Sequence, residues 1–265
     1  MGQHNVVIAI MSTIGNNAAA MVITQLLNDF NRIRFGLLVG IGGGIHQENY
    51  ESGDSSDIRL GDVVVSESLD TFGGVVQFDR GKSTNGGFQR TGHLNKPPHV
   101  LASHVQQLKA VHNLYGNGMS RHFDEMLKKY PQMKAKYSYP VSDGDQLFEA
   151  SYIHEGGKRC KKCDPARIVK REQRINLQPQ IHYGTIGSMG ILCVEMEAAG
   201  LMDAFPCLVI RSISDYADSH KNKIWQPYAA AIAAAYTKDI LSQIPPGAIE
   251  CTHAINELAS SAGMM

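Results

Sequence analysis

The run PCLVIRSISDYAD, residues 206–218, constrains the fold of this chain more than any other stretch. Cys207 to Ile210 is unbroken apolar sequence directly after a proline, which predicts a strand covered on both faces. Polarity returns abruptly at Arg211, Ser212, Ser214 and Asp215. In open α/β sheets ligands bind beyond the carboxyl ends of the strands, so Arg211 and Asp215 stand at the mouth of a candidate site. Upstream, Ala198, Leu201, Met202 and Phe205 recur at spacings of three and four and predict a helix, ended by Pro206. Glu195 and Glu197 lie two apart and cannot share a face of that helix. If it begins near Glu197, that carboxylate projects from its first turn toward the loop ends. Residue type alone leaves plainer roles open: a Glu in a first turn offsets the helix dipole, and an Asp after a strand often makes a turn.

Strands and helices alternate along the rest of the chain. Residues 5–11, NVVIAIM, read as a buried strand, and 12–17 as a turn. Ala18 to Phe30 reads as a helix with Ala19, Val22, Ile23, Leu26 and Leu27 inward, capped by Asn16 or Asn17. Arg34 to Val39 is a second strand, followed by the glycine loop Gly40 to Gly44. A dinucleotide fingerprint needs its glycines to open a helix. Here the helix precedes them and polar sequence follows, so that reading fails. The glycines instead imply a close backbone approach or positive φ. Asp62 to Ser66 is a strand, Thr71 to Asp79 a strand or edge, and 80–96 a loop. Helices are predicted from about His99 to Leu114, Met119 to Tyr130 and Trp225 to Ile244, and a strand over His182 to Ile186. Residues 247–265 carry little pattern and are expected to be a loose tail.

Length fits one domain, 1–246, with an inserted polar lobe at 140–180. Within the lobe, Cys160 and Cys163 form a CxxC that, with His154 and His182, offers a zinc ligand set. One CxxC is weak support for zinc, and thiols in a surface loop are the plainer reading, so no metal is assigned. The 25 basic and 25 acidic residues balance, which argues against nucleic-acid or membrane-surface partners. No apolar run is long enough to span a bilayer, and MGQHNVVIAI lacks the pattern of a secretory signal. Cys193 and Cys207 read as buried thiols, which implies a reducing, cytoplasmic setting.

VEMEAAGL followed by VIRSISDYAD resembles the signature of the nucleoside phosphorylase superfamily, in particular its methylthioadenosine/S-adenosylhomocysteine nucleosidase branch. The likeness is strongest to fungal-type domains often fused to ankyrin, NACHT or tetratricopeptide modules. It runs from about His4 to Ile244 and includes VGIGGG with DIRLGDVVVS. It implies a three-layer α/β sandwich around a mixed sheet, short of an edge or central strand, in a homo-oligomer. It also implies cleavage of the N-glycosidic bond of a purine nucleoside, with water or phosphate as co-substrate and no cofactor. Asp215 matches the acid that serves base atom N7. Glu197 matches the acceptor for the ribose hydroxyls, and Met196 the residue packed on the sugar. Gly42 and Gly43 match the loop along base and ribose, while Arg211 and Ser214 would orient the acid. The segment around Phe72 to Asp79 would line the pocket or reach a neighbouring subunit.

Three positions depart from that pattern. Ile41 stands where phosphorylases use a phosphate-holding serine, and it cannot donate a hydrogen bond. No residue matches the glutamate that activates water. The base loop is shortened to GTIGSMG, residues 184–190. Two readings therefore stand: an active nucleosidase or phosphorylase, and a weak or inactive nucleoside-binding or scaffold module.

Overall fold

A computed structural model describes residues 4–46, 57–69, 72–77, 80–176, 178–187, 192–255 and 257. Its described residues form a mixed five-stranded sheet and a separate hairpin. The sheet strands are β1 (Gly36–Gly44), β2 (Val63–Ser66), β5 (Ile181–Gly184), β6 (Cys193–Val194) and β7 (Cys207–Asp215), in the order β5-β2-β7-β1-β6. β7 runs parallel to β1 and antiparallel to β2, β2 parallel to β5, and β1 antiparallel to β6.

Two hydrophobic cores cover the two faces, and the period-2 alternation of the strands sorts residues between them. Val63, Val65, Leu208 and Ile210 face α2 (His99–Tyr115), α3 (Met119–Lys129) and, after the short α4 (Lys134–Tyr137), α5 (Trp225–Gln243). Val64, Cys207, Val209 and Ile213 face α1 (Asn16–Asp29) and the segment Ala198–Phe205. The result is the expected three-layer α/β sandwich. The alanine-rich α5 buries Ala229, Ala231, Ala233 and Ala235, which lets it lie close on the sheet. Burial pushes the Cys193 and Cys207 thiols up to about 12, so both are inert core groups. Among the described residues no helix is long and apolar enough to cross a membrane.

Several expectations are corrected. Residues 5–11 are not a strand, and Val6, Ile8 and Ile10 are exposed. An apolar run becomes a strand only where a sheet edge pairs with it, and beyond β7 the described partner of β1 is β6, at Gly43 and Gly44 alone. Gly40 to Gly44 is not a loop but the second half of β1. Of residues 80–96, β3 (Gly81–Thr84) and β4 (Gly87–Arg90) make a hairpin whose two-residue turn is Asn85-Gly86. Asn-Gly between two short runs is a hairpin signal. Phe72 and Val75 make only isolated bridges, while 71, 78 and 79 lie outside the described residues. The expected helix after Glu197 is a single 3-10 turn, Ala198–Gly200, followed by turns. Asn16 does not cap α1; its side chain accepts from the Gly200 N–H at 3.0 Å. Residues 246–255 are not loose. They form α6 (Pro246–Glu250), bury Ala254 and Ile255, and donate from Ile255 N to Ile33 O at 2.9 Å. Residues 258–265 lie outside the described set.

Candidate active site

The site is built where β1 and β7 lie side by side, Gly40 opposite Arg211 and Gly43 opposite Asp215. Arg211 is 4% exposed. Its Nη2 donates to Glu197 Oε2 at 3.0 Å and to Glu195 Oε2 at 2.5 Å. Glu195 also accepts from the Glu197 and Ala198 backbone N–H groups, at 3.0 and 2.9 Å. One carboxylate therefore caps the 3-10 turn while the second is held beside it by a shared guanidinium. Glu197 Oε1 meets the Gly15 N–H at 3.4 Å, which brings the turn before α1 to the same point. A Cβ on Gly40 would lie 2.2 Å from Arg211 Nη1, so only glycine leaves room for the clamp.

Arg211 was expected to orient Asp215. It is instead committed to Glu195 and Glu197, and Ser214 alone of the expected pair reaches the acid. Ser214 Oγ lies 3.1 Å from Asp215 Oδ2 and 3.5 Å from Gly42 O. The register between β1 and β7 shifts at this point, Gly42 facing Ile213 and Gly43 facing Asp215, so Ser214 is the extra residue of a bulge. Bulges re-aim side chains next to sites. Asp215 Oδ1 accepts from the Ala217 N–H at 3.0 Å and lies 3.6 Å from the exposed Lys221 amine. Ala217 has φ 55°, a left-handed conformation that is strained for a residue with a Cβ. A Cβ on Gly43 would come within 2.8 Å of Ala217 Cβ and 3.0 Å of Asp215 Oδ1. The glycine expected to let the backbone come close does so, toward the acid's own turn.

Met196 is 53% exposed and free to pack on an incoming group. The base-loop residues 188–190 lie outside the described residues. A cleft lined by Phe72, Gln77, Arg80, Arg90 and His93 includes neither Glu197 nor Asp215. His182, which the sequence offered beside the CxxC without a metal being assigned, is buried and its Nε2 lies 3.0 Å from Asp62 Oδ2. Asp62 is also met by both terminal nitrogens of Arg174 at 2.7 Å and by the backbone of Arg59 and Gln180. Burial opposes its charge, yet the His182 and Arg174 hydrogen bonds outweigh that and hold the carboxyl below its ordinary value.

Glu195 is the member of the candidate site that spacing missed. Two residues apart is the wrong interval for one helix face, but the backbone between β6 and the 3-10 turn bends at Met196 and Glu197, and the two carboxylates meet at Arg211.

No family model matches the chain. It is 41% identical, over 267 aligned residues and 94% of its length, to a nucleotide-binding leucine-rich repeat (NLR)-like protein of Hyaloscypha variabilis, of which it covers 26%. It is 24% identical over 89% of its length to the ATP nucleosidase Cap17 of Escherichia coli, of which it covers 41%. The chain thus spans between a quarter and two fifths of these relatives. Among solved structures it matches futalosine hydrolase of Helicobacter pylori over 88% of its length and 77% of that chain, with a TM-score of 0.47 and 16% identity. It matches the methylthioadenosine/S-adenosylhomocysteine nucleosidase of S. pneumoniae over 88% and 80%, with a TM-score of 0.49 and 15% identity. In its motifs the chain resembles the nucleosidases of the nucleoside phosphorylase superfamily, and Cap17, to which it is similar over 89% of its length, is named a nucleosidase.

Proposed function

We propose that the chain cleaves the N-glycosidic bond of a purine nucleoside or nucleotide, with Asp215 as the acid and Glu197 as the ribose acceptor. The observation that carries this reading is the pairing of two prepared carboxylates along β1 and β7. Arg211 holds Glu197 opposite Gly40, and Ser214 holds Asp215 opposite Gly43. Three residues of strand separate the two points by about 10 Å.

Each oxygen of Glu197 uses one lone pair inside the protein and keeps another for a ribose hydroxyl. As the bond from C1′ to the base breaks, its electron pair leaves with the base and positive charge develops on the sugar. A proton passes from Asp215 to N7 and neutralises the leaving base. The fixed negative charge of Glu197 stabilises the sugar cation. Water then adds to C1′ and releases a proton to solvent. Ile41, with no donor to offer phosphate, favours water as the co-substrate. These steps use neither metal nor cofactor. Met196, Gly42 and Gly43 would border the sugar and base. We extend the reading to a homo-oligomer in a reducing, cytoplasmic compartment. There this chain would be one module of a longer protein, as its coverage of the NLR-like relative suggests.

The second reading, a nucleoside-binding module without turnover, is favoured by the lack of any residue matching the water-activating glutamate. Incubation with adenosine, methylthioadenosine and ATP, with and without phosphate, separates the two. Free base that appears with wild type and is lost in Asp215→Asn supports the enzyme. Saturable nucleoside binding without base release supports the module, and neither binding nor release removes both.

A further inference from the structure

The CxxC of the 140–180 lobe takes no part in the proposed chemistry, and the structure gives it company that its spacing did not reveal. Cys160 opens the 3-10 turn Cys160–Lys162 and Cys163 follows it, which brings both sulfurs close to His154. One ring nitrogen of His154 and the two sulfurs all lie within 4.8 Å of one another. His154 Nδ1 is 3.2 Å from Cys163 Sγ. Ligand atoms on a tetrahedral zinc ion are about 3.5–3.8 Å apart, given Zn–S and Zn–N bonds of about 2.3 and 2.0 Å. The three donors thus sit close to metal-binding geometry.

The surroundings match as well. His154 Nε2 lies 3.1 Å from Gly157 O, so it is the nitrogen that carries the proton and donates. That leaves the Nδ1 lone pair facing the cysteines. Metal-binding histidines are fixed in the same way, by a second hydrogen bond on the far side of the ring. Cys163 is buried at 6% exposure, while His154 and Cys160 are half-buried.

His220 supplies the independent observation. It is 8% exposed, and neither of its ring nitrogens has a hydrogen-bond partner. Its nearest charged group is Asp218, whose Oδ2 is 3.4 Å from Nδ1. The His220 ring stacks on Phe148 at 4.2 Å, and its centroid is 5.5 Å from that of His154. The His220 carbonyl is 4.0 Å from Cys160 Sγ. A buried imidazole without hydrogen-bond partners is costly, and although His220 stands outside the group of three donors that lie within 4.8 Å of one another, its ring neighbours that of His154 and can turn in as the fourth ligand of a Cys2His2 set.

We propose that His154, Cys160 and Cys163 bind one structural zinc ion and that the His220 ring turns in as its fourth ligand. Cys160 and Cys163 bind as thiolates, so two thiol protons leave as the ion enters. The ion joins the inserted lobe to the connection between β7 and α5, where His154 N already donates to Ser219 Oγ at 3.0 Å. His220 follows Asp215 by five residues, so the ion would also fasten the acid's loop. The metal assignment stands whether or not the nucleosidase reading does.

The test is made on the full chain, loaded with zinc and dialysed against metal-free buffer. Metal analysis by mass spectrometry is expected to find about one zinc per chain. Cobalt substitution is expected to give thiolate-to-cobalt charge transfer and the strong visible bands of a tetrahedral ion. Cys160→Ser and Cys163→Ser should each weaken zinc binding at least ~10-fold. His220→Asn should weaken binding by a similar factor and alter the cobalt spectrum, while Cys251→Ser, on an exposed thiol, should change neither. Wild type that retains no zinc overturns the proposal without any variant having to fold. Unchanged zinc affinity in the two serine variants also overturns it, and an unchanged cobalt spectrum in His220→Asn overturns the four-residue assignment.

Discussion

Arg211 serves two carboxylates from inside the protein, and that position makes it the least replaceable side chain of the site. Its partners Glu195 and Glu197 have side chains only 4% and 9% exposed. Removing one member of a buried ion network leaves the rest uncompensated, at about 3–5 kcal/mol. Arg211→Met is therefore expected to lower stability in urea by about that amount. A loss below about 1 kcal/mol would mean the two glutamates are solvated or protonated instead. Gly43 is the other sensitive position. A methyl group there meets Ala217 Cβ at 2.8 Å and Asp215 Oδ1 at 3.0 Å. Gly43→Ala should displace the acid's turn, cost about 1–3 kcal/mol and reduce base release at least tenfold. Adding Ala217→Gly removes one of those contacts and relieves the left-handed strain at φ 55°. The double variant should therefore recover part of both losses. If it is no better than Gly43→Ala alone, crowding at Ala217 is not the cause.

Whether a chain segment becomes a strand depends on its partners as much as on its own residues, and that set what could be read in advance. The long helices α2, α3 and α5 were legible because they carry their hydrogen bonds internally and show a helical face. β7 was legible because an apolar run that ends at Arg211 and Asp215 has few other uses. Residues 5–11 have equal apolar character, yet pairing is a property of the sheet and is invisible locally. The clamp was legible only in part. Glu197 and Asp215 stood out, but Arg211 pairs with residues 14 and 16 positions away, and side-chain partners at that distance leave no periodic trace. Asp62 shows the same limit, since it collects Arg174 and His182 from more than a hundred residues away to join the start of β2 to β5. Its folded-state carboxyl titrates below the ordinary value. Its contribution is therefore complete above the unfolded-state value and is lost as pH falls through the folded one. The stability gap between wild type and Asp62→Asn, measured in urea, should be widest near neutral pH and shrink as the pH is lowered. A gap independent of pH would show that Asp62 acts through its shape alone.

Within the molecule as a whole, the segment 140–180 contributes few strands or helices among the described residues and is held against the layered sheet by side-chain contacts. The composition marked it as polar but gave no sign of where it docks. It docks on the acid's side of the sheet. Arg171 Nη1 donates to the Tyr216 hydroxyl at 2.9 Å and Nη2 donates to Asp145 Oδ2 at 2.8 Å, while the Tyr216 hydroxyl donates to Asp145 Oδ1. Burial and the nearby Asp145 charge push the Tyr216 phenol far up, so it remains a donor throughout the working pH range. Tyr216 is also the residue next to Asp215, which makes lobe docking and acid placement one structural event. A double-mutant cycle tests this. Asp145→Asn and Tyr216→Phe each break the triangle, so the pair should lose less stability than the sum, with a coupling of about 0.5–3 kcal/mol. Each single variant should also weaken base release more than it weakens nucleoside binding, because Glu197, the proposed ribose acceptor, is held by Arg211 and Gly15 and not by residues 140–180. Additive losses, or equal effects on binding and release, would mean the lobe is carried by the sheet without steering Asp215.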